Sequence, residues 1–322
     1  MTLPLIAAAA PASAAAPGKP NIPPGVTAGY VVFDRQTAKV TEYRNAHRRF
    51  RSASVVKILI AIDYLESRKS VPERDLALLK VMLRVSDDGA ATSFWTRGGQ
   101  GKIIQRMARK LRLTDTAPPP ADKPGFWGYT SLSAMDVATT YRYLLDRADP
   151  KVGGLILGHL RRSGQCGSDG FDQYFGIPRA VRGPWAVKQG WSGYGSTPPV
   201  RCRPAKAPAS TPRPSSSAAP ASVAHPSTFT AATPDVPLAA HPATSTDSTV
   251  TARTVPAAQV IPARSGPVPD LGRPVLHTTG LVGPKERWIV VLLTAHPAGS
   301  TWQRSTAQTT KLAREVHLSG TS

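Results

Sequence analysis

The 322-residue chain is long enough for one large domain or two small ones, and 41% of its residues are apolar, which is enough for a sizeable core. Its 40 Lys and Arg residues against 20 Asp and Glu residues give a formal charge of +20, which favours contact with polyanions. The basic residues are dispersed and accompany no finger, basic-helix or base-stacking motif, so we expect a solvated basic surface without specific nucleic-acid binding. No histidines pair at metal-ligand spacing, and we expect neither a metal nor a cofactor.

The N-terminal residues and the two cysteines both bear on export. MTLPLIAAAAPASAAAPGKP combines a short apolar stretch with an Ala-Ser-Ala pattern, as in a secretory signal, although no Lys or Arg precedes it. We therefore expect residues 1–24 to be a signal-like or disordered tail, with a plain Ala-Pro-rich tail as the alternative. No later segment is apolar and long enough to predict a membrane span. Cys166 and Cys202 can form one disulfide in an exported protein, or remain two buried thiols.

Strand and helix patterns alternate along most of the chain. Ala28–Phe50 predicts a hairpin with a polar turn at Arg35–Thr37. Helical periodicity then predicts four helices, at Ser54–Ser67, Glu73–Val85, Gly101–Leu111 and Ser133–Asp146. The Pro-rich stretch LTDTAPPPADKPGFWGYTS, between the last two, predicts a loop without regular structure. Three strand patterns, PWAVKQGWSGYG, GRPVLHTTGLVG and ERWIVVLLTAHP, precede a closing helical pattern, TWQRSTAQTTKLAREVH.

Residues 203–269 differ from the rest in composition. They are dominated by Ala, Pro, Ser and Thr without periodicity, which predicts a disordered segment, open to O-glycosylation in an exported protein. Strand patterns flank the segment, so we interpret it as an insertion within a sheet, since loop-closure cost grows slowly with length. An error in the gene model would give the same pattern. The remaining order predicts an α+β domain over residues 25–202 and 270–318: an antiparallel sheet flanked by helices, with an all-helical subdomain.

The segment FRSASVVKILIAIDYL contains the first candidate for chemistry. Ser54 and Lys57 lie three residues apart at the start of an apolar helix. Ser is a favoured N-cap residue, so the pair can be a helix start and nothing more. Lys, however, is rarely buried unless it is paired or functional. The segment alone leaves the helix cap and the active site as alternatives.

Two further motifs favour the active site. VSDDGAA contains Ser86 and Asp88 just after a helical stretch, and VKQGWSG contains Lys188 on a predicted strand. In the order S-x-x-K, S-D-(N/D), K-(T/Q)-G, the three motifs resemble those of the serine β-lactamase and penicillin-binding-protein superfamily. The resemblance extends over most of the chain outside the N-terminal tail and the insertion. It implies a serine hydrolase that forms an acyl-enzyme.

The resemblance also implies a role for each residue. Ser54 is the nucleophile, and its N–H and that of Trp191 form an oxyanion hole. Neutral Lys57, with its pKa lowered by burial and by Lys188, is the base, while Ser86 passes a proton to the leaving nitrogen. Lys188 pairs with a substrate carboxylate. The predicted site residues are therefore, as catalytic residues, Ser54, Lys57, Ser86 and Lys188, and, as substrate-binding residues, Asp88, Gln189, Gly190 and Trp191.

The chain departs from the superfamily pattern at three points. Asp88 stands where Asn is usual, and a carboxylate can only accept hydrogen bonds. Gln189 stands where Thr or Ser is usual. Residues 74–285 contain no Glu, the residue that activates deacylating water in class A β-lactamases, and the corresponding loop offers only Asp115 and Asp122. General-base help is worth orders of magnitude in rate, so efficient class A turnover is not expected.

The resemblance therefore implies an exported or cell-envelope serine hydrolase of the β-lactamase and penicillin-binding-protein type, either β-lactamase-like or D,D-carboxypeptidase-like. Its substrate would be a small molecule or a peptidoglycan peptide, attacked at a β-lactam, peptide or ester carbonyl beside a carboxylate. We expect a monomer. The alternative is a non-catalytic peptidoglycan-binding module on the same fold.

Overall fold

A computed structural model describes residues 18–204 and 267–322. Its central element is an antiparallel sheet of five strands in the order β2-β1-β7-β6-β5. The strands of this sheet are β1 (Thr27–Asp34), β2 (Lys39–Arg44), β5 (Trp185–Ser192), β6 (Val275–Val282) and β7 (Trp288–Ala295). A second, two-stranded pair joins β3 (Phe50–Arg51) to β4 (Ser131–Leu132). The predicted hairpin and the three later strands are all present.

The described residues also form eight helices. They are α1 (Lys57–Glu66), α2 (Glu73–Arg84), α3 (Asp88–Arg97), α4 (Gly101–Leu111), α5 (Ala134–Asp146), α6 (Pro150–Leu160), α7 (Ile177–Ala180) and α8 (Trp302–Thr321). Helical periodicity predicted α1, α2, α4, α5 and α8. The predicted α+β class, with an antiparallel sheet and flanking helices, is confirmed.

Burial on both faces explains the continuous apolar sequence of the central strands. In β1, Val31 packs into the cluster formed with α1 and α5, whereas Val32 packs into the cluster under α8. In β7, Val291 packs into the cluster with α1 and α5, and Val290 packs into the cluster under α8. Successive side chains of a strand point to opposite faces, so a strand covered on both sides needs apolar residues at nearly every position.

Helix α6 was not predicted, because its sequence PKVGGLILGHL contains glycines that lower helix propensity. Asp149 caps the helix by accepting a hydrogen bond from the N–H of Lys151, and Pro150 occupies the first turn. Gly153 has a packing reason, since a Cβ there would lie 2.5 Å from the carbonyl oxygen of Leu144. The glycine therefore allows α6 to pack tightly against α5.

Three predictions about loops have different outcomes. The Pro-rich loop is mostly irregular, but the prediction of no regular structure is wrong for Trp127–Tyr129, which form a 3-10 turn, and for Ser131–Leu132, which form β4. Strands β5 and β6 are hydrogen-bonded neighbours, so the long segment between them does join adjacent strands. The predicted disorder of residues 203–269 falls almost wholly outside the described residues, as does most of the 1–24 tail.

Cys166 and Cys202 form a disulfide, which selects one of the two alternatives for the cysteines. The bond ties the turn after α6 to the segment after β5, across a sequence separation of 36 residues. The N–H of Cys202 also donates to the carbonyl of Gly170 at 2.8 Å. Of the helices in the described ranges, none has the length and apolar character needed to cross a membrane.

We predict that replacing both cysteines, as Cys166→Ala with Cys202→Ala, lowers the free energy of unfolding by about 2–4 kcal/mol, since closing a loop of this length restricts the unfolded chain. Urea unfolding of the oxidised protein and the double variant measures the difference. Adding a reducing agent should destabilise only the protein that contains the disulfide. Equal unfolding midpoints for the two proteins would contradict the prediction.

Candidate active site

The hydroxyl of Ser86 lies between two buried lysines. Its Oγ is 2.8 Å from Lys188 Nζ and 3.3 Å from Lys57 Nζ, and its carbonyl oxygen accepts from Lys57 Nζ at 2.5 Å. The exposed fraction of Lys57 is 0% and that of Lys188 is 1%. The structure therefore brings together one side chain from each of the three sequence motifs.

The backbone of Ser86 adopts a conformation that few residues other than glycine adopt. It lies between α2 and α3 with φ of 59°, which costs about 1–3 kcal/mol for a residue with a side chain. Asp87 caps α3 by accepting a hydrogen bond from the N–H of Ala90. This cap, with the two lysine contacts, holds the Ser86 side chain in place and starts α3 at Asp88.

Ser54 lies in a 3-10 turn, Ala53–Val56, that precedes α1. Ser54 is not a helix cap, which was one of the two alternatives for this segment: α1 begins at Lys57 with Val56 as its N-cap, and no side chain caps the 3-10 turn or α1. Ser54 is 6% exposed and lines a cleft. No residue in the described ranges forms a hydrogen bond with its hydroxyl, which leaves the Oγ available to a substrate.

Gly190 allows strand β5 to approach this turn. A Cβ at Gly190 would lie 3.2 Å from the carbonyl oxygen of Ser52 and 3.3 Å from the backbone nitrogen of Ser54. A side chain there would crowd the backbone of the turn that contains Ser54. Because β5 is the edge strand of its sheet, its outer backbone groups, next to Ser54, can face a substrate.

Burial lowers the pKa of both lysines, whereas the neighbouring charges act differently on the two. The pKa of Lys188 lies well below its ordinary value, first because burial disfavours the ammonium and then because Lys57 is close. Burial likewise lowers the pKa of Lys57, but Asp88 opposes this effect with an ion pair at 2.6 Å. Asp88 thus stabilises the protonated form of the predicted base.

The cleft beside Ser54 has a volume of about 420 Å³. Its lining residues are Ala53, Ser54, Asp88, Thr92, Gly125, Phe126, Trp127, Gly128, Tyr129, Asp169, Trp191 and Ser192. Two of these side chains are charged, and both are carboxylates. Four others are aromatic. A larger groove of about 1120 Å³ lies between α8 and residues 200–203, and no predicted site residue lines it. The cleft is the better candidate because Ser54, the predicted nucleophile, lines it.

Sequence reasoning missed Asp169. Its Oδ2 accepts from the indole nitrogen of Trp191 at 2.9 Å, and its Oδ1 accepts from the N–H of Phe171 at 3.1 Å. Asp169 lies in a turn of the long connection between α6 and β5, and it belongs to none of the three motifs. No local pattern in the sequence distinguishes it from the neighbouring Asp172.

Three other predicted residues lie away from the cleft. Gln189 is 1% exposed and its amide donates to the carbonyls of Gln173 and Phe175, so the structure does not place it where a substrate could reach it. Asp115 accepts hydrogen bonds from Ser133 and His47. Asp122 is exposed and pairs with Lys123. Neither Asp115 nor Asp122 lines the Ser54 cleft.

No metal-binding cluster of three or more His, Cys, Asp or Glu side chains occurs within residues 18–204 and 267–322. The expected absence of a metal and of a cofactor stays a prediction.

Comparison with known protein structures decides the fold. "Structure of PBP-A" superposes with a TM-score of 0.54 at 14% identity, over 92% of this chain and 90% of that one. A class A β-lactamase from Mycobacterium abscessus gives 0.51 at 15% identity, over 91% and 93%. The chain has the serine β-lactamase and penicillin-binding-protein fold. The acyl-enzyme complex of a PBP-A mutant with penicillin G shares this fold, with a TM-score of 0.54 at 14% identity over 91% of this chain and 90% of that one. At such identities the likeness concerns the fold alone.

Curated relatives add a likeness in sequence, whereas no family model matches the chain. Proteins named "Putative lipoprotein LppW" from Mycobacterium bovis and Mycobacterium tuberculosis are 38% identical over 179 residues, which are 52% of this chain and 54% of theirs. The chain thus spans about half the length of the curated relatives it matches. The resemblance that the three motifs carry is confirmed for the fold.

The lowered pKa of Lys188 predicts how the stability of this fold depends on pH. The unfolded lysine titrates near pH ~10.4, above the folded-state pKa, so the unfolded chain binds more protons between the two values and stability rises with pH across that window. We predict that Lys188→Met stabilises the protein relative to the wild type. This advantage should be largest below the folded-state pKa and shrink as the pH rises toward ~10.4.

Urea unfolding at a series of pH values measures this difference. Lys102→Met, at an exposed position on α4, is the control and should show a difference that does not change with pH. A constant difference between Lys188→Met and the wild type would contradict the lowered pKa.

Proposed function

We propose that the protein is a serine hydrolase whose Ser54 is acylated by a β-lactam, peptide or ester carbonyl. The observation that supports this proposal most strongly is the Ser86 hydroxyl, placed 2.8 and 3.3 Å from the two lysine nitrogens behind a cleft that Ser54 lines. Burying two amines together costs free energy that a purely structural role does not require. Lowered lysine pKa values at a nucleophile are what base-assisted acylation needs.

The acylation step uses these groups in order. Neutral Lys57 accepts the proton of the Ser54 hydroxyl as the oxygen attacks the carbonyl carbon. The oxyanion that forms accepts from the N–H groups of Ser54 and Trp191. The bond to the leaving nitrogen or oxygen then breaks, and the leaving atom takes the proton of Ser86, which regains one from the Lys57 ammonium. Lys188 holds the Ser86 hydroxyl in position throughout.

Release of the acyl group lacks a comparable set of residues. Hydrolysis of the acyl-Ser54 ester needs a base to activate water. The two aspartates of the Pro-rich loop lie away from the cleft, and Asp88 is engaged with Lys57. Asp169 also lines the cleft, but its two oxygens accept hydrogen bonds from Trp191 and from the N–H of Phe171. We therefore propose that acylation is faster than deacylation and that the acyl-enzyme accumulates.

The test of this function is intact mass spectrometry after reaction with an uncharged activated ester and, separately, with a fluorescent penicillin. We expect one acyl group per chain, mapped to Ser54 by peptide analysis, and none in Ser54→Ala. The uncharged ester reports the reactivity of Ser54 even if the cleft does not recognise the penicillin. If neither reagent labels the wild type, or if Ser54→Ala is labelled to the same extent, the proposal is wrong.

A second prediction concerns Asp88. Removing its charge by Asp88→Asn should lower the pKa of Lys57 further, because the ion pair opposes the effect of burial. The acidic limb of the pH profile for acylation should move to lower pH. At a fixed pH on this limb, the acylation rate should rise about tenfold for each unit by which the pKa of Lys57 falls. Stopped-flow acylation by the uncharged ester over a range of pH measures this shift.

The control for this experiment is Asp146→Asn, which removes an equal charge at an exposed position on α5. Its pH profile should match that of the wild type. An unshifted pH profile in Asp88→Asn would show that the ion pair does not control the pKa of Lys57.

The Asp88–Lys57 pair also favours a second candidate function. A lysine that stays protonated cannot accept the serine proton, and the cleft would then bind cell-wall peptide without turnover. Such a non-catalytic module predicts saturable binding of peptidoglycan fragments by both the wild type and Ser54→Ala, with no acyl adduct. The lipoprotein names of the curated relatives support a place in the cell envelope for either function.

A further inference from the structure

We propose that the cleft selects substrates that carry an alkylammonium group, and that Asp169 is the residue that recognises it. The inference rests on the proposed acylation of Ser54 and names the class of substrate. It differs from the expectation of a carboxylate beside the attacked carbonyl.

The charge of the cleft is the first argument. The chain carries a formal charge of +20, yet the residues that line the cleft include Asp88 and Asp169 and no Lys, Arg or His among the described residues. A negative cleft on a positive protein attracts cationic ligands and repels anionic ones over short range. The local sign is therefore opposite to the sign of the chain as a whole.

The two nearby lysines do not reverse this sign at the cleft surface. Lys188 is 1% exposed, and its ammonium donates to Ser86 Oγ and to the carbonyl of Gln189. Lys57 is fully buried and paired with Asp88. A substrate carboxylate in the cleft would meet Asp169 without an exposed cation to balance the repulsion.

Asp169 is positioned for recognition because its surroundings hold it in place. Trp191 and the N–H of Phe171 each donate to one of its oxygens. Gly167 packs on the Trp191 ring so closely that a Cβ there would lie 3.1 Å from it. The nearby Cys166–Cys202 disulfide ties the same turn to the segment after β5. A carboxylate fixed in this way loses little freedom when a ligand binds.

Asp169 also has charge to offer. Within the described residues, no Lys, Arg or His forms an ion pair with it, and each carboxylate oxygen can accept a further hydrogen bond besides the one from Trp191 or Phe171. An ammonium bound there would also lie beside the Trp191 ring, which lines the same cleft. The indole N–H of this ring points at Asp169, so Trp191 orients the carboxylate.

Three p-nitrophenyl esters of equal chain length test the proposal. Their acyl groups end in an ammonium, a hydroxyl or a carboxylate, and the first turnover is followed by release of p-nitrophenol. We expect the ammonium ester to acylate the wild type about tenfold faster than the hydroxyl ester, and the carboxylate ester to be slowest. The preference should weaken at high salt, as an attraction between charges requires.

The variants assign the preference to one residue. In Asp169→Asn the ratio of ammonium to hydroxyl rates should fall toward one, whereas Asp169→Glu should restore part of it. Asp146→Asn changes the net charge equally and should keep the wild-type ratio. Circular dichroism of each variant checks that the fold is intact.

Two results would overturn the inference and leave Ser54 acylation standing: equal rates for the three esters in the wild type, or an undiminished ratio in correctly folded Asp169→Asn. Failure of all three esters to release p-nitrophenol in the first turnover is a different result. It would contradict the proposed function itself, and the inference with it.

Discussion

The arrangement of this site depends on two lysine ammonium groups buried together around one serine hydroxyl. Removing two like charges from water is unfavourable unless one gives up its proton or finds a partner. Here Lys188 responds with a strongly lowered pKa, and Lys57 has Asp88 as a partner. The left-handed backbone of Ser86 and the cap at Asp87 hold the hydroxyl between them. The fold thus maintains a strained, poorly solvated cluster, which is a common property of catalytic sites.

The sheet and the helical block meet at this cluster. Edge strand β5 supplies Lys188 and, through the missing side chain of Gly190, approaches the turn that holds Ser54. The same strand carries Trp191, whose indole nitrogen donates to Asp169 and holds its carboxylate in place. Strand β5 therefore carries Lys188, lies against the Ser54 turn and holds Asp169 through Trp191. A substrate lying along β5 would contact the Ser54 side of the cleft and Asp169.

Local patterns predicted much of the fold, because hydrophobic periodicity and motif order are properties of short segments. They predicted the strands of the five-stranded sheet and assigned Ser54, Lys57, Ser86 and Lys188 to one site, of which the structure brings Lys57, Ser86 and Lys188 into contact. The alternation of side chains along a strand would also have separated Gln189 from Lys188, since neighbours face opposite sides. Asp169 and the Lys57–Asp88 pair could not be predicted, because each depends on a contact between distant elements. Helix α6 was missed because its glycines serve packing rather than helix propensity.

The most direct measurement of the central claim is the stoichiometry of the pre-steady-state burst with an uncharged p-nitrophenyl ester. Acylation of Ser54 without an efficient deacylating base predicts a burst of one equivalent of p-nitrophenol per chain, followed by a much slower steady state. Ser54→Ala should show neither phase above the rate in buffer. A wild-type trace without a burst that matches Ser54→Ala would contradict acylation. Fast linear turnover that depends on Ser54 would instead show that the cleft contains an effective base for deacylation.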